Sequence, residues 1–252
     1  MSAHTHEQVQ ALLESLKFKG AGKYLSDTCR EAEEQDASYL QFLHTLLLKE
    51  VAERNERRLR RNLTGAHFPV EKRIEDFDFS KVEGITERDV QGLRDFRWID
   101  THENLLFLGP PGLGKTHLSI AIGLEAVYAG YKVCFERMTN LVKLLKSAEV
   151  QRTSALRLNR IFKSHVLVID EIGYTPIERK EANYFFNLVS EIYEKSSIVI
   201  TSNTSFNEWA ELLGDEVLTT ALLDRLLHQA HTFSLRGESY YLPFPVITGN
   251  GK

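Results

Sequence analysis

One stretch, GPPGLGKT at residues 109–116, restricts the possible folds of this chain more than any other feature. It matches the pattern G-x-x-x-x-G-K-[ST] and lies between an apolar run at 104–109 and a segment of helical periodicity that ends near Gly130. Because glycine lacks a Cβ, such a loop can approach phosphate groups closely and offer them its amides and a helix N-terminus. The sequence therefore predicts a phosphate-binding loop between a strand and a helix of an α/β domain.

The same stretch supplies the side chains that a nucleoside triphosphate requires. Lys115 is expected to place its charge on the β- and γ-phosphates, and the Thr116 hydroxyl is expected to bind Mg²⁺. ATP and Mg²⁺ are therefore the predicted ligands. The residues expected to bind the nucleotide are Gly109, Pro110, Pro111, Gly112, Leu113, Gly114, Lys115, Thr116 and His117.

Two further apolar runs end in polar residues. HVLVIDEIG at 165–173 contains Asp170, which we expect to bind Mg²⁺, and Glu171, which we expect to orient and deprotonate the attacking water. SIVITSN at 197–203 ends in Asn203, which either hydrogen-bonds the water or the γ-phosphate or is a simple turn residue. The acidic pair favours hydrolysis over phosphate transfer to a substrate hydroxyl, so an ATPase is predicted.

Strand-like and helix-like segments alternate from about residue 75 onward, which is the pattern of a parallel sheet with helices on both faces. Residues 1–63 are instead helical in pattern throughout, and the breakers Gly65 and Pro69 indicate a domain boundary. We therefore expect an all-helical N-terminal domain at 1–70 and a three-layer α/β domain at 71–252. Predicted helix ends are the N-caps Ser38, Thr139 and Ser205, the last in a capping box with Glu208, and the glycine after a C-terminus, Gly130.

The long helix predicted near residues 38–63 changes character along one face. Leu40, Leu43 and Leu47 form a stripe that is expected to pack in a core. The stripe continues into four arginines that are expected to contact DNA phosphates, namely Arg54, Arg57, Arg58 and Arg61. The alternative is a solvated helix end whose arginines pair with acidic residues of the same helix. Those acidic residues are Glu50, Glu53 and Glu56. A weaker second basic group consists of Lys143, Lys146, Arg152 and Arg157.

Charge and cysteine content limit the possible partners. A formal net charge of −4 and a pI near 6.2 exclude a generally cationic surface, so any DNA contact must come from a local patch. The two cysteines, Cys29 and Cys134, lie far apart, so neither a disulfide framework nor a zinc site is expected. The sequence shows no signal peptide and no apolar run of about 18–20 residues, which predicts a cytoplasmic protein without membrane contact.

The segment TALLDRLLHQ at 220–229 places an arginine opposite a stripe of leucines. In a single chain, Arg225 would be part of a surface salt bridge of little energetic value. The predicted ATP site, however, contains a lysine, a metal and a base but no evident arginine of its own. Arg225 is therefore expected to complete the site of a neighbouring subunit, which predicts a homo-oligomeric ring or spiral with Arg225 acting in trans.

Together these motifs resemble the AAA+ ATPases and, within them, the DnaC-type branch. EIGYTPI at 171–177, SIVITSN at 197–203 and LLDRLLH at 222–228 are most similar to the IstB-type helper ATPases of bacterial insertion sequences, and the resemblance covers nearly the whole chain. It implies a P-loop NTPase (AAA+) domain with a reduced lid. In that domain, residues 170–171 are the Walker B acids, Asn203 is the sensor 1 residue and Arg225 is the arginine finger.

The resemblance also implies a helper of transposition. Such a protein binds ATP, assembles as a multimer on double-stranded target DNA, selects the target site, and recruits and stimulates the cognate transposase. The alternative is a DnaC-like loader that places a replicative helicase on DNA; an ordinary small-molecule kinase does not account for Arg225. The family often has an arginine where this chain has Tyr241, and whether Arg236 replaces that contact is open.

Overall fold

The computed structural model describes residues 3–174, 177–237 and 239. The chain divides into two compact units, Met1–Arg61 and Asn62–Lys252, which we call the N-terminal unit and the sheet unit. No helix in the described ranges is both long enough and apolar enough to cross a membrane.

The N-terminal unit is helical, as predicted. Helix α1 spans Ala3–Ser15, α2 spans Lys19–Glu34, and α3 spans Tyr39–Ala66 and so continues into the sheet unit. Ser38 caps α3 as expected, because its hydroxyl accepts from the backbone N–H of Gln41 while the Gln41 side chain accepts from the N–H of Ser38. The buried apolar residues of this unit are Ala21, Leu25 and Leu46.

The leucine stripe of α3 was expected in this core, and that prediction is wrong. Leu40, Leu43 and Leu47 are 78%, 47% and 41% exposed. The face of α3 that contributes to the core carries Phe42 and Leu46 instead. Two apolar faces run side by side on α3, and periodicity alone does not determine which of them is covered.

Helix α3 also passes through the glycine that was predicted to break it. Asn62 donates to the carbonyls of Gly130 and Tyr131 at 3.4 and 3.3 Å, and Arg157 donates to the carbonyl of Gly65 at 2.8 Å. These bonds hold the last turn of α3 within the sheet unit. The two units therefore divide just before Asn62, earlier than the expected boundary at residue 70.

A parallel five-stranded sheet in the order β3-β4-β5-β2-β6 forms the centre of the sheet unit, as the alternating pattern predicts. Every residue of β2 and β5 is buried, and because successive side chains point to opposite faces, both faces of these strands are covered. The strands of this sheet are β2 (Asn104–Leu108), β3 (Val133–Arg137), β4 (Val166–Ile172), β5 (Ser197–Ser202) and β6 (Ala230–Ser234). A separate antiparallel pair consists of β1 (Val82–Glu83) and β7 (Arg236–Gly237).

Eight helices are described in the sheet unit besides the end of α3. They are α4 (Glu87–Gly92), α5 (Arg97–Asp100), α6 (Lys115–Tyr128), α7 (Met138–Ser147), α8 (Arg152–Ile161), α9 (Arg179–Ile192), α10 (Trp209–Leu213) and α11 (Glu216–Leu227). One large apolar cluster joins the sheet to residues of α7 through α11.

The predicted helix ends agree with the structure in two cases out of three within the sheet unit. Gly130 follows α6 with φ of 103°, and Ser205 and Glu208 form the expected capping box. Thr139 is not an N-cap, because α7 begins directly after Arg137, the last residue of β3. A strand that continues into a helix leaves no room for a separate capping residue.

Candidate nucleotide site

The phosphate loop joins the end of β2 to the start of α6. Gly109, Gly112 and Gly114 have φ of 138°, 82° and 77°, in the region that favours glycine. A Cβ on Gly109 would lie 2.2 Å from the carbonyl oxygen of Leu235, and one on Gly114 would lie 2.5 Å from the ring of Phe77. The loop therefore requires glycine for both its backbone conformation and its packing.

A cavity of about 150 Å³ lies at the carboxyl ends of β2, β4 and β5. These three strands are neighbours in the sheet, so their ends bring together motifs that are far apart in the sequence. The cavity is lined by Pro111, Gly112, Gly114, Lys115, Thr116, Glu171, Tyr174, Thr201, Ser202 and Asn203. All three predicted motifs are therefore represented in its wall.

Lys115 is 8% exposed, and its ammonium group is held by the loop itself. Its Nζ donates to the carbonyl oxygens of Gly109 and Pro110, each at 2.7 Å. Burial lowers the pKa of Lys115, and the carboxylate of Asp170 partly opposes that shift. An anion that enters the cavity would meet an ammonium group that is already largely removed from water, which strengthens their attraction.

Asp170 is fully buried and is oriented by two hydroxyl groups. The side chains of Thr116 and Thr201 donate to its Oδ1 at 2.8 and 2.6 Å, while its Oδ2 is buried with no hydrogen-bond partner among the described residues. A buried carboxylate oxygen without a partner is unfavourable unless another group satisfies it. A carboxylate beside a hydroxyl is an oxygen ligand set that suits Mg²⁺, so these residues fit the predicted metal.

Glu171 lies at an irregularity of β4. The register of β4 against β5 shifts between Ile169 and Ile172, and Glu171 itself has φ of 64°. Its backbone N–H donates to the hydroxyl of Thr201 at 2.9 Å, and its Oε2 lies 3.6 Å from Nε of Arg137. The bulge accommodates Glu171 in the cavity wall, and its carboxylate is engaged in an ion pair with Arg137, which does not itself line the cavity.

Asn203 also lies in the cavity wall, and its Oδ1 is buried with no partner within the described ranges. The backbone beside it is close, because a Cβ on Gly173 would lie 2.7 Å from that oxygen. A simple turn residue would not need an unpaired buried amide oxygen at this position. The geometry therefore favours the hydrogen-bonding interpretation of Asn203 over the turn interpretation.

Four residues of the predicted nucleotide set do not line the cavity, and the side chains of the last two of them pack elsewhere. The four are Gly109, Pro110, Leu113 and His117. His117 lies with Nε2 2.7 Å from the carbonyl oxygen of Arg73, and its ring packs edge-on against Phe77 at 5.6 Å between centroids. Leu113 is only 1% exposed. Both side chains fix the loop rather than line the cavity, so any role in nucleotide binding falls to their backbone.

Sequence reasoning missed three residues of the site. Thr201 links Asp170 to the backbone of Glu171, and Arg137 pairs with Glu171, while Tyr174 lines the cavity. Thr201 belongs to the polar triplet that ends β5, which was a signal for it. No sequence motif pointed to Arg137, which is brought to the site because it is in register with Asp170 in the sheet.

Arg225 lies near the amino ends of the strands, whereas the cavity lies at their carboxyl ends. Its guanidinium carbon is 4.7 Å from the centroid of the Phe186 ring, and Nη1 donates to the carbonyl of Ala221 at 2.9 Å. It lines a small cavity together with Asn104 and Ser196, at the amino ends of β2 and β5. The phosphate loop follows the other end of β2, on the order of 15 Å away for a five-residue strand. Arg225 is therefore not part of the cavity of its own subunit.

The arginine ridge of α3 is partly occupied within its own unit. Glu50 is 3% exposed and accepts from the backbone N–H groups of Gly20 and Ala21 at 2.6 and 3.0 Å. Arg54 hydrogen-bonds the same carboxylate, and Arg57 lies 3.8 Å from it. For these two arginines, the alternative of pairing within the helix therefore agrees with the structure.

Arg58 and Arg61 are exposed, and their contact with DNA phosphates stays a prediction. In the second basic group, Arg157 is only 10% exposed at its side chain and pairs with Glu136 at 2.5 Å, so it serves packing rather than DNA binding.

Tyr241 lies outside the described residues, while Arg236 is an exposed residue of β7.

The family model of IstB-like ATP-binding proteins matches residues 11–243 of this chain. The chain belongs to this family. An IS21 insertion-sequence ATP-binding protein of Pseudomonas aeruginosa is 39% identical over 235 residues, which cover 93% of this chain and 89% of that protein. An IS5376 insertion-sequence ATP-binding protein of Geobacillus stearothermophilus is 43% identical over 211 residues, covering 84% of each chain.

The fold is also similar to a solved structure. The crystal structure of DnaI matches with a TM-score of 0.53 and 21% identity, covering 66% of this chain and 91% of that one. This similarity concerns the fold alone, and it agrees with the predicted α/β domain built on a parallel sheet. Membership of the family, together with the cavity, makes the chain an ATPase that binds ATP and belongs with the ATP-binding proteins of insertion sequences.

Proposed function

We propose that this chain assembles as a multimer on double-stranded target DNA, selects the insertion site there, and recruits and stimulates its cognate transposase. ATP hydrolysis controls the assembly. The observation that carries the proposal is the position of Arg225, at the edge of the sheet opposite its own phosphate loop. An arginine in that position can reach only the nucleotide of another subunit. The similarity to ATP-binding proteins of insertion sequences supports the link to a transposase.

Within one subunit, six residues of the phosphate loop and the strand ends have separate roles in hydrolysis. Lys115 exchanges the carbonyls of its own loop for the phosphates. Thr116 and Asp170 would hold Mg²⁺, which would supply positive charge to the phosphate oxygens when bound. Glu171 accepts the proton of the attacking water, and Asn203 uses its unpaired amide oxygen to orient that water. Thr201 positions both acids.

The neighbouring subunit completes the site through Arg225. Its guanidinium rests on the face of Phe186, a contact that fixes the side chain but leaves donors available. Within the described residues no carboxylate pairs with Arg225, so its charge is available to the γ-phosphate of the adjacent subunit. Arginines in such positions contribute about 10³–10⁵ to the rate of phosphoryl transfer.

A mixing experiment tests this arrangement directly. Arg225→Ala should bind ATP normally and lose DNA-stimulated hydrolysis, while Lys115→Ala should lose ATP binding. When the two inactive variants are mixed, some sites combine an intact Lys115 with a neighbour's intact Arg225, so activity should return. Arg88→Ala, at another exposed arginine of the sheet unit, is the control and should be active alone. A mixture without activity would contradict action in trans.

DNA contact is assigned to Arg58 and Arg61, the exposed end of the ridge. Replacing both with glutamine should weaken binding to duplex DNA and flatten its salt dependence, since each lost phosphate contact reduces the slope by about 1. An unchanged salt slope would place the DNA surface elsewhere.

The recruitment of the transposase has a separate test. Purified cognate transposase should be captured by the ATP-bound protein on duplex DNA. Capture of a replicative helicase instead would favour a loader.

A further inference from the structure

The wall of the nucleotide cavity contains one exposed aromatic side chain, Tyr174. The turn that carries it is sharply bent, because Glu171 and Gly173 have φ of 64° and 100°. Tyr174 is 63% exposed, so its ring is accessible to solvent rather than packed in the core. Within the described residues, this ring contacts no other aromatic ring and no cation. An aromatic face beside a phosphate site is therefore available to a group that comes from outside the subunit.

The chemistry of the ring indicates which group it can receive. The face of an aromatic ring carries negative partial charge, so it attracts cations and not the phosphate oxygens that this cavity is built to bind. The lysine of the cavity is not that cation, because Nζ of Lys115 is held by the carbonyl oxygens of Gly109 and Pro110. Among cationic side chains, the planar guanidinium of arginine stacks best on an aromatic face. Tyr174 is therefore suited to an arginine of another subunit.

Arg225 offers such a guanidinium group. Its Cζ lies over the ring of Phe186, 4.7 Å from the centroid, and its Nη1 donates to the carbonyl of Ala221 at 2.9 Å. Because the guanidinium is planar, Phe186 can cover only one of its two faces, and a second ring can stack on the other. Its N–H groups point outward in the plane of the group, so a second ring would not obstruct them.

Tyr174 and Arg225 cannot meet within one subunit. Tyr174 follows β4 at the carboxyl ends of the strands, whereas Arg225 lies near the amino ends. A seven-residue strand such as β4 is on the order of 20 Å long, which exceeds the combined reach of the two side chains. A contact between them therefore requires two subunits.

We propose that Tyr174 receives Arg225 of the neighbouring subunit, whose guanidinium is then held between its own Phe186 and the Tyr174 of the subunit that binds ATP. This inference rests on the proposed function, in which Arg225 acts in trans. The two rings fix the plane of the guanidinium, so that its in-plane N–H groups are directed at the γ-phosphate oxygens. Tyr174 is thus a positioning residue, because it acts through Arg225 and does not touch ATP.

Steady-state ATP hydrolysis on duplex DNA tests the proposal. Tyr174→Leu should lower kcat about tenfold, the loss expected for a cation–π contact shielded from water, and should leave KM for ATP unchanged. Tyr174→Phe keeps the ring and should restore kcat. Tyr128→Leu is the matched control and should be fully active, because Tyr128 is 57% exposed and ends α6, far from the phosphate loop at the start of that helix. A raised KM with normal kcat, or equal losses in Tyr174→Phe and Tyr174→Leu, would overturn the proposal.

Mixing of variants shows which subunit Tyr174 serves. Tyr174→Leu mixed with Arg225→Ala should exceed the mean of the two separate activities, because an Arg225→Ala subunit keeps Tyr174 and receives Arg225 from a Tyr174→Leu neighbour. Mixed with Lys115→Ala, it should only equal that mean, because no subunit then has both Lys115 and Tyr174. Phe186→Leu should show the reverse pattern, since Phe186 belongs to the subunit that donates Arg225. The same pattern for both variants would overturn the proposal.

Failure of this inference differs from failure of the proposed function. If the mixture of Arg225→Ala and Lys115→Ala is active while Tyr174→Leu has the wild-type kcat, Arg225 acts in trans without Tyr174 and only this inference is wrong. If that mixture is inactive, action in trans is wrong, and the role of Tyr174 is wrong with it.

Discussion

Thr201 offers the sharpest test of how the acidic pair is held. Its side chain is 2% exposed, and its hydroxyl donates to Asp170 at 2.6 Å while accepting from the backbone N–H of Glu171 at 2.9 Å. Thr201→Val keeps the shape of the side chain and removes both bonds. A hydrogen bond to a charged group contributes about 1.5–3 kcal/mol and a neutral one about 1 kcal/mol, so the sheet unit should lose roughly 3 kcal/mol of stability.

The matched control is Thr219→Val on α11. Thr219 is 3% exposed, but its hydroxyl donates only to the carbonyl of Asp215 in its own helix, at 2.7 Å. Its replacement should cost at most about 1 kcal/mol, because the bond is local and neutral. Comparison of the two variants separates the loss of the bridge between the acids from the general effect of removing a buried hydroxyl.

Urea unfolding followed by tryptophan fluorescence is the appropriate assay. Both tryptophans of the chain, Trp98 and Trp209, lie in the sheet unit, so the signal reports on that unit. The midpoint should fall more for Thr201→Val than for Thr219→Val with an unchanged slope, and ATP hydrolysis should be lost in the first variant alone. Equal midpoints together with normal hydrolysis would refute the role given to Thr201.

Three further predictions concern single side chains of the sheet unit. ATP at 100 times its dissociation constant should stabilise the wild-type protein by about 2.7 kcal/mol in thermal unfolding, and it should leave Lys115→Ala unchanged because the phosphates lose their charged partner. Arg137→Ala should raise DNA-independent phosphate release, because the ion pair at 3.6 Å no longer holds the carboxylate of Glu171; a lower rate would show that Arg137 positions the base instead. Arg157→Met should cost about 3–5 kcal/mol in urea unfolding, since it leaves the carboxylate of Glu136 buried and unpaired, and Arg157→Met combined with Glu136→Gln should recover part of that loss.

The architecture and the position of the site were predictable from the sequence. Parallel strands in a βα alternation end at the same edge of a sheet, so the apolar runs that lead into the phosphate loop, Asp170 and Asn203 had to converge there. The glycine pattern of the phosphate loop predicted its conformation. These features depend on local periodicity and on a topological rule, and both can be read from residue types alone.

What the sequence did not predict depends on register and on packing. Arg137 reaches Glu171 only because β3 and β4 pair in one particular register, and the bulge at Glu171 has no sequence signal. The wrong prediction for Leu40 and Leu43 has a similar origin, since α3 has two apolar faces and α2 covers only one. The sequence did not indicate the contact of Arg157 with Glu136, because the residue type alone does not tell whether an arginine is buried or exposed.

The position of β2 in the sheet has a consequence for how the chain folds during synthesis. β2 leads into the phosphate loop, but its two neighbours, β5 and β6, come much later, with Leu105 paired to Val199 on one side and to His231 on the other. While the ribosome is still making the second half of the chain, this wholly buried strand has no partner and exposes two unpaired edges. The sheet unit is therefore rich in non-local contacts, and it should fold slowly and only after β6 has emerged. A nascent chain that stops short of β6 would be prone to aggregation and would have no nucleotide to stabilise it.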